Sequence, residues 1–172
     1  MVDGLEYFAE NREACGATWR NFVIWAAIGK ATTEGTQRWA DTFLAHAKAC
    51  PQGLVFVLIV RENTPMPGQE VRSQIVGTIK DQSSEVQGWA VVIEGSGFFS
   101  SMARSVMAGM IALGRRPFPT KTVGEVDQAV PWLVDHATGP KGKPYSADDI
   151  QEALNEVRVR AEMLFETGEV QI

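Results

Sequence analysis

Residues 89–114, WAVVIEGSGFFSSMARSVMAGMIALG, constrain the fold more than any other stretch of this 172-residue chain. An apolar run, Trp89–Glu94, enters the turn Gly95-Ser96-Gly97, and Phe98–Leu113 follows with apolar residues over most of a helix surface. A strand this apolar is covered on both faces, as in a parallel sheet flanked by helices. The small-residue turn delivers the chain to a helix N-terminus. That is the usual place for an α/β domain to hold a ligand or present a regulatory group.

The flanking segments alternate in the same way. Leu5–Ala9 and Thr18–Ile28 are rich in aromatic and β-branched residues, and the turn-like Asn11–Gly16 lies between them. They predict an antiparallel hairpin, with a further turn at Arg20-Asn21. Thr33 is expected to cap a helix starting at Glu34, with Trp39, Phe43, Leu44 and Ala47 on one face, ended by Pro51-Gln52-Gly53. Leu54–Arg61 reads as a second fully buried strand. Val71, Ile75 and Ile79, four apart, mark a second helix over Gln69–Lys80. Gly114 suits a C-cap for the third helix, and Pro117 and Pro119 force an extended stretch into Thr120–Val123. Thr122 and Glu125 have capping-box spacing for a fourth helix carrying Val126, Ala129, Val130, Leu133 and Val134. Pro131 is expected to kink it.

After the linker-like TGPKGKP, Ser146 and Asp149 again have capping-box spacing. Ile150, Leu154, Val157, Ala161 and Leu164 form an apolar stripe along the last helix. The expected fold class is therefore α/β: a mixed β-sheet with an N-terminal hairpin, flanked by about four helices, plus an appended C-terminal helix. The expected organisation is a domain over 1–137, a linker over 138–145, and an amphipathic helix and tail over 146–172.

Composition excludes several classes of function. Apolar content of 45% and charged content of 22% are those of a globular chain with a real core. No apolar run approaches the roughly 18 residues of a membrane span. The acidic N-terminus, MVDGLEYFAENRE, is not a signal peptide, so a cytoplasmic location is expected. Cys15 and Cys50 cannot build a disulfide scaffold and are read as reduced. The net charge of −5 sits wholly in the tail: residues 145–172 hold seven acids against Arg158 and Arg160, and the remainder balances. A neutral body excludes general nucleic-acid binding.

Few groups carry chemistry. Gly95, Ser96 and Gly97 either bind an anion through helix N–H groups or form a tight turn needing positive φ. Arg104, about two turns into the helix, can reach such an anion; Arg115 and Arg116 lie on the order of 25 Å away and cannot. His46 and Cys50 are four apart on one helix, but no further Cys or His pair completes a metal site. Glu94 is the sole acid beside the turn, so paired-carboxylate chemistry lacks its second member. Only His46 and His136 can serve a nucleophile as base, and no P-loop occurs. Met102, Met107 and Met110 either pack the core or line an adaptable apolar pocket.

Four segments, TTEG (32–35), LVFVLIVRENTP (54–65), WAVVIEGSGFFSSMARSV (89–106) and RRPFPTKTVGEVDQAVPWL (115–133), carry a resemblance. Over about residues 5–137 the chain resembles the STAS domain of anti-sigma-factor antagonists. The resemblance implies a regulatory domain in which a serine starting the helix after the third apolar strand is phosphorylated by a cognate kinase. The family motif there is Asp-Ser-Ser-Gly; this chain reads Glu94-Gly95-Ser96-Gly97-Phe98-Phe99-Ser100-Ser101 instead. Ser96 and then Ser100 are the phosphorylation candidates it implies. The fold class also overlaps with lipid-carrying domains of the CRAL-TRIO type.

The expectation is a non-catalytic regulatory or protein-interaction module with no cofactor and no metal. The alternative is a small-ligand or lipid-binding module that uses Gly95, Ser96, Gly97 and Arg104 with the apolar helix behind them, and takes a small apolar or anionic ligand. The expected partner is another protein or a second copy, because the C-terminal stripe must be covered either by its own body or by a homodimer through the 146–165 helix.

Overall fold

The computed structural model describes residues 2–81, 83–113 and 118–167, with the side chains of Ile79, Ser83, Phe99 and Leu113 left aside. Gly114, Arg115, Arg116 and Pro117 lie outside the described residues, as do positions 168–172 of the tail. The chain opens with three antiparallel strands, β1 (Leu5–Glu10), β2 (Ala14–Trp19) and β3 (Phe22–Ala27). α1 (Thr33–Ala49), β4 (Leu54–Val60), α2 (Gln69–Asp81), β5 (Val86–Ile93), α3 (Phe98–Leu113) and β6 (Thr120–Val123) follow. α4 (Val126–His136) and α5 (Ala147–Thr167) close the chain. One six-stranded sheet results, in the order β1-β2-β3-β4-β5-β6, with β3 to β6 parallel. The mixed sheet flanked by helices, with an added C-terminal helix, is as expected.

That order decides where the helices go. Crossovers between neighbouring parallel strands are right-handed, so α1, α2 and α3, which join strands laid down in sequence, all fall on one face. Side-chain alternation gives that face Val23, Leu54, Phe56, Trp89, Val91 and Ile93, which pack against Trp39 and Phe43 of α1 and Ala103, Met107 and Ile111 of α3. The opposite face carries Phe22, Ile24, Val55, Val57, Ala90 and Val92, and α4 and α5 cover it.

α5 is part of this core. Ile150, Ala153, Leu154, Val157 and Ala161 are fully buried against the sheet of their own chain. The homodimer expected through this stripe therefore loses the surface it was built on. The segment read as a linker closes on itself: Thr138 bridges Pro144, and Gly139 N–H donates to Lys143 O at 2.9 Å. Tyr145 then anchors the start of α5. Its hydroxyl donates to Asn21 Oδ1 at 2.6 Å, and the fully buried Asn21 amide donates to Gly53 O (2.8 Å) and Thr138 O (3.2 Å). One asparagine in the β2–β3 turn thus ties together β4's start, the loop and α5.

Three local readings are corrected. Residues 14–16, read as part of the turn Asn11–Gly16, are strand. The turn before them is Asn11–Glu13, where Asn11 Oδ1 accepts from Glu13 and Ala14 N–H. β2 tolerates Gly16 because a side chain there would strike the Phe8 and Trp25 rings, which lie over it. The cap of α1 is Thr32, whose Oγ1 accepts from Gly35 N–H at 3.0 Å, one residue earlier than expected. Thr122 caps nothing, since it belongs to β6; Gln128 instead reaches back to accept from Gly124 N–H. Ser146 does cap α5, accepting from Asp149 N–H at 3.1 Å. Pro131 lies within α4 on its exposed side. Among the described residues no helix is long and apolar enough to cross a membrane.

Cys15 lies at the heart of the α5 face, and burial, helped by Glu10, pushes its thiol from 9 up to about 12. The unfolded chain therefore loses this proton at lower pH than the folded one. Stability should fall as pH rises from about 9 to about 12. Urea unfolding across that window should show the decline, and Cys15→Ala should flatten its lower end. An unchanged slope in the variant contradicts the assignment.

Candidate functional site

α3 leaves β5 for one face of the sheet, and α4 leaves β6 for the other. Adjacent strands whose following helices part in this way open a crevice at their carboxyl ends, where α/β proteins generally bind ligands. A polar cleft of about 540 Å³ lies there, between the ends of β4, β5 and β6 and the side of α5. Gly95 lines it; Ser96, Gly97 and Arg104 do not.

Four further charged groups reach the cleft that sequence spacing did not suggest: Arg61 and Glu62 after β4, Glu125 and Asp127 after β6. Arg158 joins them from α5. Glu94 is therefore not the sole acid near the turn. Its carboxylate is already engaged, however. Arg61 Nε lies 2.7 Å from Glu94 Oε2, and Arg158 Nε donates to Glu94 Oε1. Arg61 also faces Glu162 at 3.4 Å. The Glu94 hydrogen bond raises the Arg158 guanidinium above its ordinary value against the opposing effect of burial. The cluster clamps α5 to the ends of β4 and β5 and ties up the Glu94 carboxylate.

The turn is shaped by its glycines. Gly95 has φ +90, and the Glu62 side chain lies within 2.8 Å of where a β-carbon would stand. Gly97 has φ +93 in open space, so its conformation alone favours glycine. Arg104 Nη2 points at Ile93 O and Gly95 O, both at 3.4 Å, so the arginine braces the turn from behind. Ser96 is exposed. Ser100 is 2% exposed, and its hydroxyl donates to Glu94 O at 3.3 Å.

α3 has two different faces. Its outer face shows Phe98, 85% exposed, then Ser101, Met102, Ser105, Ala108, Gly109 and Ala112, a continuous helical stripe without a charge. Its inner face closes a cavity of about 110 Å³ against the sheet, α1 and α2, walled by Trp25, Trp39, Phe56, Trp89, Met107 and Met110. The three methionines thus divide: Met107 and Met110 line the cavity, and Met102 faces out.

His46 and Cys50 do come together, at 3.8 Å, but both turn to the Arg20 carbonyl, which His46 Nε2 meets at 2.8 Å. They hold the β2–β3 turn, where Arg20 has φ +53. Among the described residues no group of three His, Cys, Asp or Glu is placed to hold a metal ion.

No family model and no curated protein matches the chain. Among solved structures, the chain is similar to an uncharacterized protein of the DUF3478 family with a SpoIIAA-like fold from Shewanella loihica PV-4. The identity is 14% and the TM-score 0.46, over 77% of this chain and 98% of that one.

Glu94→Gln leaves two guanidinium groups without their shared carboxylate in a site where Glu94 is only 12% exposed. It should cost about 2 kcal/mol, or about 4–8 °C in Tm, discounted for the partial exposure of Arg158. Ser96→Ala should stay within about 0.5 kcal/mol. Calorimetry on both variants tests this, and a neutral Glu94→Gln would remove the clamp from the account.

Proposed function

We propose that this chain is a non-catalytic interaction module that docks an apolar helix of a partner protein on the outer face of α3. One observation carries the reading: Phe98 stands 85% exposed at the head of an uncharged helical stripe. A large aromatic so displayed is typical of a binding anchor. The small residues behind it, Ser101, Ser105 and Gly109, let a second helix approach closely. The absence of charge along the stripe favours an apolar partner surface over an acidic or basic one.

The engagement of Glu94, the acid beside the turn, supports the non-catalytic half of the reading. Glu94 is consumed by two arginines, and neither His nor Cys lines the cleft. The sequence resemblance to STAS domains points to the same helix, since its implied regulatory serine starts there. Of the two candidates, Ser96 is open to a kinase and Ser100 is buried. A phosphate on Ser96 would set a charge of about −2 beside an uncharged docking face and oppose an apolar partner.

A second reading, small-molecule binding behind α3, is favoured by the cavity itself, whose aromatic and methionine walls suit an apolar ligand.

A photo-crosslinking amino acid at Ser105, introduced in the native host, should yield one discrete adduct with a different protein. Phe98→Asp should weaken that adduct about thirtyfold, the loss of a single aromatic anchor, with circular dichroism unchanged. Ser96→Asp should weaken it in the same direction. An adduct that survives Phe98→Asp, or that forms equally from a crosslinker at Lys48 on α1, contradicts the docking face.

A further inference from the structure

The helices leave one part of the sheet uncovered. On the face that α1, α2 and α3 share, Val23, Leu54 and Phe56 are buried. Trp25, Leu58 and Val60, nearer the carboxyl ends of β3 and β4, stay partly exposed on that same face. The cavity of about 110 Å³ is the gap above them. Its floor is closed, with Trp39, Phe56, Trp89, Met107 and Met110 all buried. Its rim is formed by the loops that leave the two strands, Gly29 and Ala31 after β3 and Pro65, Met66 and Pro67 after β4. Pro65 is exposed and the other four are partly exposed, so the cavity opens to solvent between these loops.

The wall asks for no hydrogen bond. Its carboxylate and hydroxyl groups belong to Glu13, Thr36 and Thr64, and each is already engaged within the chain. Glu13 accepts from Thr32 N–H (3.1 Å) and Thr32 Oγ1 (2.7 Å). Thr36 Oγ1 donates to Thr32 O at 2.8 Å, and Thr64 Oγ1 donates to Ala27 O at 3.0 Å. The indole nitrogens of Trp39 and Trp89 have almost no accessible surface, so these rings meet the cavity through carbon. Among the described residues no Lys, Arg or His lines the space. A charged or hydrogen-bonding occupant would lose its bonds to water without replacement. Volume sets the size: an apolar cavity of about 150 Å³ stays dry and takes benzene, and the flexible Met107 and Met110 side chains let this somewhat smaller one adjust.

We propose that the cavity binds a compact hydrocarbon ring of about six carbon atoms, uncharged and without a hydrogen-bonding atom. The ring enters between the loops that follow β3 and β4 and packs on Phe56, Met107 and Met110. It completes the apolar layer that α1, α2 and α3 leave open. The proposal rests on the small-molecule reading above and narrows it to a chemical class and an entrance.

The test uses the full chain labelled with ¹³C at the methionine methyls, titrated separately with benzene and with pyridine at a pH where pyridine is neutral. The two rings match in shape and size and differ by one hydrogen-bond acceptor. Met102→Leu, Met107→Leu and Met110→Leu each delete and so assign one signal. Benzene should shift the Met107 and Met110 signals and saturate in the millimolar range, while Met102, on the outer face of α3, stays still. Pyridine should bind about tenfold more weakly, because its nitrogen leaves water and meets no donor. Ala31→Trp, at the partly exposed rim, should slow benzene exchange and broaden both shifted signals. Silence toward both rings overturns the small-molecule reading itself. Pyridine binding as tightly as benzene overturns the hydrocarbon class alone. A benzene shift at Met102 without one at Met107 and Met110 overturns the site. Unchanged exchange in a folded Ala31→Trp chain overturns the entrance, and if that variant does not fold, the contrast between the two rings on the unmodified chain decides the class.

Discussion

Four parallel strands laid down in sequence order commit the three helices between them to one face of the sheet. The other face would then be bare across Phe22, Ile24, Val55, Val57 and Val92, all buried in the native chain. Only the segments after β6 remain to cover it, so α4 and α5 are forced to the far side. Each large side chain that α5 buries there, such as Ile150, Leu154 or Leu164, contributes about 1.5–3 kcal/mol. The same division of helices creates the crevice at the carboxyl ends of β5 and β6. α5 then occupies its flank through the Arg61–Glu94–Arg158 cluster. The place where this fold class usually reacts or binds is here used for a structural clamp.

That clamp shifts functional interest to α3. The helix carries one charged residue, Arg104, which faces the turn carbonyls. Its first turn has no acid and its last turn no base, so the residues of α3 itself do not offset the helix dipole. One side rests over a cavity and the other presents Phe98 to solvent. A helix held this way is expected to be stabilised less than α5, whose inner stripe is buried against the sheet. Elements that bind and respond are drawn from the less stable end of a structure.

Much of this was legible in the sequence. The continuous apolar runs in β4 and β5 announced strands covered on both faces, and the bounds of α3, Phe98–Leu113, follow from where its glycines and apolar periodicity fall. Ser146 capped its helix as its spacing indicated. β2 was missed at Ala14–Gly16 because alanine, cysteine and glycine carry no strand signal; the strand exists because Phe8 and Trp25 cover Gly16. The charged cleft was invisible because its members come from three separate strand ends, and Arg158 reaches Glu94 across 64 residues of chain. The stripe on α5 was seen, but a stripe alone does not say which surface covers it. Strand order does. The split of Met102 from Met107 and Met110 likewise depends on which side of α3 meets the sheet.

The central claim is that α5 belongs to the structural core and that α3 is held more loosely than the core. Native-state hydrogen exchange on the full chain tests it in one experiment. Amides in the Ala153–Ala161 stretch of α5 should exchange only through global unfolding, with the same denaturant dependence as those of Val55–Ile59 in β4. Amides of Ala103–Met110 in α3 should open at distinctly lower free energy. The reverse order, with α5 opening first and α3 exchanging with the core, would contradict the account.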